Sequence, residues 1–130
     1  MIRTKLFVLP LLLAAALMFV QGCMTVALVG AGAGTVMYAK GDLEAVLSND
    51  INSAYEATQK SVKQLELNVS SKVKDELTAK IVARDAQDKK ITIRLASTAE
   101  NTTKISIRVG LFGDETKSRL IYEQIQKNLK

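Results

Sequence analysis

Four times between residues 67 and 109, apolar and polar side chains alternate with a period of two, and no other feature restricts the fold as much. Leu67, Val69, Ser71 and Val73 alternate with Asn68, Ser70, Lys72 and Lys74. Leu77, Ala79, Ile81 and Ala83 alternate with Thr78, Lys80, Val82 and Arg84. Ile91, Ile93 and Leu95 are set against Lys90, Thr92 and Arg94, and Ile105, Ile107 and Val109 against Lys104, Ser106 and Arg108. Neighbouring side chains of a strand point to opposite faces, so each run reads as a strand with one apolar side. The connections at Asp75-Glu76, Asp85-Ala86-Gln87-Asp88 and 97–101 are short, which makes the runs hairpins of one meander.

The flanks supply the other layer. Residues 35–47 read as one more strand: Leu43, Ala45 and Leu47 share a face, Asp42 and Glu44 share the other, and Gly41 marks a bulge or bend within it. Ser48-Asn49-Asp50 offers helix N-caps before Ile51, Ala54, Tyr55, Thr58, Val62 and Leu65, an apolar stripe at spacings of three and four. Gly110-Leu111-Phe112-Gly113 breaks the sheet. Asp114 or a neighbour then caps a last helix with Ile121, Ile125 and Leu129 on one face, Leu120 and Tyr122 beside them. With three Tyr, three Phe and no Trp, the core must be built from aliphatic side chains.

Chain direction limits the sheet. If the first strand runs up, the first helix returns down, the second strand runs up and the fifth runs down. The first strand therefore fits antiparallel beside the fifth, with Asp42 and Glu44 near Lys104 and Arg108. Beside the second it would need a parallel crossover. One apolar face per strand places both helices on that face. The expected fold is α+β and two-layered: a five-stranded antiparallel sheet of order 1-5-4-3-2 with two helices on one face, in the element order β-α-β-β-β-β-α.

Ahead of this domain, Arg3 and Lys5 precede fifteen uncharged residues, 6–20, the pattern of a secretory leader. The run closes on Leu17-Met18-Phe19-Val20-Gln21-Gly22-Cys23, a small residue directly before the single cysteine and an apolar one three before it. This string resembles the lipobox of bacterial lipoproteins. The resemblance implies cleavage before Cys23, diacylglycerol on its thiol and usually a further acyl chain on the new amine. Two or three chains anchor stably where one binds marginally. The domains expected are a signal peptide at 1–22, an acylated cysteine with a Gly/Ala-rich tether at 23–34, and the α+β domain at 35–130. Loss of Arg3 and Lys5 lowers the net charge of +5 by two.

Several chemistries are excluded. Without histidine there is no imidazole base, His-based triad or zinc site of usual type. Ser71-x-x-Lys74 has the spacing of serine–lysine acyl enzymes, but residues three apart on a strand face opposite ways, and no Lys-Thr-Gly follows. Gly30, Gly32 and Gly34 have neither dinucleotide-loop spacing nor a following helix. The sixteen uncharged residues between Cys23 and Lys40 are too few and too glycine-rich for a membrane span, despite the G-x-x-x-G spacing of Gly30 and Gly34. No internal disulfide can form. The reading is non-enzymatic, with no catalytic residue, metal or cofactor.

What stands out is charge on the solvent face of the sheet. The alternation assigns Lys72, Lys74, Lys80, Arg84, Lys90, Arg94, Lys104 and Arg108 to it, with no acid from the last four strands. Such a face either solvates the sheet or docks an anion: anionic lipid, cell-wall polymer or an acidic protein, nucleic acid being excluded by secretion.

A second resemblance covers about residues 23 to 130. Gly30-Ala31-Gly32-Ala33-Gly34-Thr35, Tyr38-Ala39-Lys40-Gly41-Asp42-Leu43-Glu44-Ala45, Asn101-Thr102-Thr103-Lys104, Arg108-Val109-Gly110 and Phe112-Gly113-Asp114-Glu115 occur in order. Together they resemble a family of small bacterial lipoproteins catalogued only as a domain of unknown function, which implies no catalytic residues. The element order is also similar to the helix-grip domains of outer-membrane assembly lipoproteins, a likeness of fold alone. The functional expectation is a binding or scaffolding domain of the bacterial envelope, held in the bilayer through acylated Cys23. Met24, in place of Asp, favours the outer membrane facing the periplasm over the inner membrane. The alternatives are a purely structural envelope lipoprotein without ligand, and an uncleaved protein anchored through residues 6–39.

Overall fold

Lys40 and Gly41 both take left-handed backbone conformations, with φ of 54° and 86°. Two consecutive residues of positive φ make the tight turn that matches the twist of a two-residue hairpin. In the computed structural model, which describes residues 36–129, the chain therefore reverses here and forms two strands, β1 (Met37–Ala39) and β2 (Asp42–Leu47). The sequence expectation of one bulged strand is corrected accordingly. Then follow α1 (Ile51–Gln64), β3 (Asn68–Lys74), β4 (Thr78–Arg84), β5 (Lys90–Ala99), β6 (Thr102–Val109) and α2 (Glu115–Asn128). The sheet has six antiparallel strands in the order β1-β2-β6-β5-β4-β3, not five in the order 1-5-4-3-2. The leader, the lipobox with Cys23, and the Gly30–Gly34 tether with its nucleotide and membrane-span readings lie outside the described residues.

Both helices lie on one face. Leu43, Ala45, Ile81, Ala83, Ile91, Ile93, Leu95, Ile105, Ile107 and Val109 point from the sheet into an aliphatic core. Ile51, Ala54, Ala57 and Val62 of α1 and Ile121, Tyr122 and Ile125 of α2 close it. Leu120, read from sequence as flanking the buried stripe, is exposed instead. The helix starts follow local chemistry: the Asp50 carboxylate accepts from Asn52 and Ser53 N–H at 3.1 and 3.2 Å, and Asp114 from Lys117 N–H at 3.0 Å. α1 ends where Glu66 turns left-handed, with Leu67 N–H bonding Val62 O and Glu66 N–H bonding Lys63 O. Polar ends knit the two helices, Asn128 Nδ2 donating to Ser61 Oγ at 2.7 Å and Gln124 Nε2 to Gln64 Oε1 at 2.7 Å.

β3 departs from its own alternation. Val69 lies opposite Ala83, but Ser71 lies opposite Val82, so Ser70 is an extra, bulged residue. Beyond it, Lys72 and Lys74 face the same way as buried Ile81 and Ala79, while Val73 joins Lys80 on the outer face. Without the bulge Lys72 would stand directly opposite Lys80, a like-charge pair that costs stability. With it, the Lys74 ammonium sits 6.0 Å from the Tyr55 ring centroid. β3 is an edge strand and all seven of its residues are exposed. A bulge and inward-pointing lysines obstruct edge-to-edge pairing there.

Candidate functional site

The outer face is read from the register, since directly opposed residues of antiparallel strands share a face. One row runs Asp42, Arg108, Thr92, Val82, Ser71, and the next runs Glu44, Ser106, Arg94, Lys80, Val73. Lys90 and Arg84 oppose each other one step further on. Six of the eight cations assigned from sequence therefore reach this face: Lys80, Arg84, Lys90, Arg94, Lys104 and Arg108. Lys72 and Lys74 do not, because the Ser70 bulge inverts the end of β3. It also separates Ser71, on the outer face, from Lys74 on the helix side.

The six are not equivalent. Lys104 Nζ lies 3.4 Å from Glu44, and Arg84 Nη1 lies 3.6 Å from Asp88. Arg108 is a clamp: Nη1 donates to Asp42 Oδ1 at 3.2 Å and to Lys40 O at 3.3 Å, and Nη2 to Leu111 O at 2.8 Å. It ties the β1–β2 turn to the loop after β6, so its charge and donors are already engaged. Lys80, Lys90 and Arg94 are exposed and make no ion pair among the described residues. Lys80 and Arg94 stand directly opposite each other. The acids of the outer face sit on β2, so the free cations of β4 and β5 form the positive end of a polarised surface.

At that end a shallow concavity of about 440 Å³ is lined by Lys89, Lys90, Thr92, Arg94, Arg108, Gly110 and Leu111, with one acid, Asp88, at its edge beside Arg84. Above it stands a loop that the sequence marks only as a sheet breaker. Leu111 and Phe112 are 79% and 87% exposed. Their signal in the sequence is two large apolar residues enclosed by glycines at a turn, where a core role is impossible. Gly113, with φ of 87°, packs on the β1–β2 turn so tightly that a Cβ there would come within 2.6 Å of the Tyr38 hydroxyl. A Cβ on Gly41 would likewise meet Phe112 O at 2.6 Å.

The turn acids have structural partners. Asp85 accepts from Gln87 and Lys89 N–H, each at 2.9 Å, and from Lys117 Nζ at 2.8 Å, which pins the β4–β5 turn to α2. The Lys117 hydrogen bond, with backbone donors behind it, holds the Asp85 carboxyl below its ordinary pKa. Burial raises that of Tyr122, whose hydroxyl accepts from Gln126 Nε2 at 2.9 Å. Among the described residues, no three acid or thiol side chains are grouped as they would be around a metal ion, and no helix is long and apolar enough to cross a membrane.

The model of a family described as a protein of unknown function, DUF3568, matches residues 5–128. The chain belongs to this family. The match spans the whole sheet-and-helix domain and begins at Lys5, directly ahead of the N-terminal apolar run, so the DUF3568 pattern includes both. No curated protein matches the chain. DUF3568 carries no assigned activity, and residue roles come from geometry alone.

Proposed function

We propose that this DUF3568 protein is a non-enzymatic lipoprotein of the bacterial envelope, acylated at Cys23, whose sheet face docks an acidic macromolecule through Lys80 and Arg94. The outer membrane, with the domain facing the periplasm, is the location that Met24 favours. One observation carries the docking: Lys80 and Arg94 are held directly opposite each other on an exposed face, with no acid paired to either among the described residues. Like charges so placed destabilise a sheet. Arg84, Lys104 and Arg108 of the same face are each relieved by an acid, and this opposed pair, among the described residues, is not. An anionic partner would supply the missing counter-charge, and the field of the pair extends about 8 Å at physiological ionic strength. The lipid anchor is supported by the lipobox string and the leader pattern ahead of it.

Two measurements test this reading. Intact-mass analysis of membrane-extracted protein should find a chain beginning at Cys23 with added acyl mass, and Cys23→Ser should retain the leader. Unmodified Cys23, or residues 1–22 kept on the wild-type chain, contradicts the anchor. Separately, the lipidated chain should show salt-sensitive binding to isolated cell wall or to a crosslinked envelope protein, and K80E/R94E should lose it. Equal behaviour of the two chains would leave a purely structural lipoprotein without ligand.

A further inference from the structure

Leu111 and Phe112 form a convex apolar tip on a rigid base. Glycines bracket them with φ of 74° at Gly110 and 87° at Gly113. Arg108 holds the carbonyl of Leu111, and Gly113 has no room for a side chain against the β1–β2 turn. Two large adjacent side chains presented this way have no core to enter and no groove of their own to fill. Contiguous apolar surface rimmed by polar groups marks a contact site.

The rim is basic once its acids are accounted for. Asp42 is paired with Arg108, Asp85 with Lys117, Asp88 with Arg84, Asp114 with Lys89 and Glu115 with Arg119. Lys40 and Lys90 remain exposed and without an ion pair among the described residues. Both are bound into the base of the tip through their backbones. The Arg108 guanidinium bridges the carbonyls of Lys40 and Leu111, and Gly110 N–H donates to Lys90 O at 2.7 Å. An apolar point between two free lysines matches the membrane–water interface, where side chains such as Phe and Leu enter the acyl boundary and lysines reach the headgroups.

We infer that the Leu111–Phe112 tip enters the headgroup layer of an anionic bilayer, with Lys40 and Lys90 on lipid phosphates at either side. The inference rests on the proposal that the chain is held at the envelope membrane. The two free lysines match anionic headgroups, which favours this occupant over an apolar protein pocket, and the course of the chain permits it. The thirteen residues from Cys23 to Thr35 can span at most about 45 Å, and β1 carries the chain only about 13 Å from Val36 to the turn that bears Lys40. A chain anchored at Cys23 thus keeps the tip within reach of the surface that holds the anchor.

The chain has no tryptophan, so Phe112→Trp installs a single reporter at the point of contact. The full-length F112W chain, reconstituted in phosphatidylcholine vesicles containing phosphatidylglycerol, should emit to the blue of its value in phosphatidylcholine alone. Lipids brominated near the headgroup should quench it. Adding K40E/K90E should return the emission to that of a water-exposed indole while the chain still floats with the vesicles. Emission from water on a vesicle-bound chain overturns the inference. So does a blue shift that the brominated lipids leave unquenched, which would mean that a second copy or another protein covers the tip. Intact mass on the same preparation separates the two proposals: missing acyl mass refutes the Cys23 anchor without touching the tip measurement, and a water-exposed tip on an acylated chain refutes the tip alone.

Discussion

Replacing Arg108 by Met decides whether this side chain is a clamp or a free cation of the basic face. Met keeps most of the apolar stem and removes the guanidinium. Lost are the 2.8 Å bond to Leu111 O, the longer 3.3 Å bond to Lys40 O and the 3.2 Å contact with Asp42. The ion pair is partly exposed, at 37% and 28% for its two side chains, so solvent limits it to about 0.5–1 kcal/mol. The charge-assisted bond to Leu111 O contributes about 1–1.5 kcal/mol, and the long bond little. Arg108→Met should therefore cost about 2 kcal/mol, lowering Tm by roughly 8–16 °C for a domain of this size. Thermal and urea unfolding of the purified full chain, followed by circular dichroism, read this directly. Arg94→Met, on the same face but unpaired, serves as the control and should stay within about ±0.5 kcal/mol. A double-mutant cycle with Asp42→Asn should return a coupling near the ion-pair figure. If Arg108→Met is as silent as Arg94→Met, the clamp is wrong and Arg108 is a solvated cation.

Ser118 Oγ is buried on α2 without a hydrogen-bond partner among the described residues, so Ser118→Ala should stabilise by about 1 kcal/mol, seen as a higher urea midpoint with unchanged slope. Asp50 is held below its ordinary pKa of 3.8, mainly by the Ser53 hydroxyl and then by Ser53 N–H, and Asp85 mainly by Lys117. A carboxylate lowered by folding contributes stability that is complete above its unfolded pKa and lost as pH falls through the folded one. Tm should thus drop between about pH 5 and pH 2, and D50N/D85N should flatten that drop; an unchanged slope would show that other carboxylates govern it.

The runs of period two in residues 78–84, 90–95 and 104–109 were legible as strands because each places its aliphatic residues on one side of the backbone, a property of the chain itself. The starts of both helices were equally local, since Asp50 and Asp114 cap N–H groups two or three residues away. Gly41 was legible as an irregularity but not as a turn. The second left-handed residue is Lys40, whose side chain gives no warning of it, and that one dihedral separates five strands from six. The Ser70 bulge was hidden for a different reason. Alternation reports which residues share a side only while the pairing stays in register, and one extra residue moves Lys72 and Lys74 to the helix side. Which cations stay free was beyond any local pattern. The acid that engages Arg108 lies 66 residues away in the chain, and Lys104 finds Glu44 only because β2 and β6 are neighbours. The sequence by itself determined the kinds of element and the number of cations, because hydrophobic period and composition belong to single segments. Only the tertiary structure decided which cations remain unpaired and which apolar residues stand exposed beside them, because charge and burial are settled between strands that lie far apart in the chain.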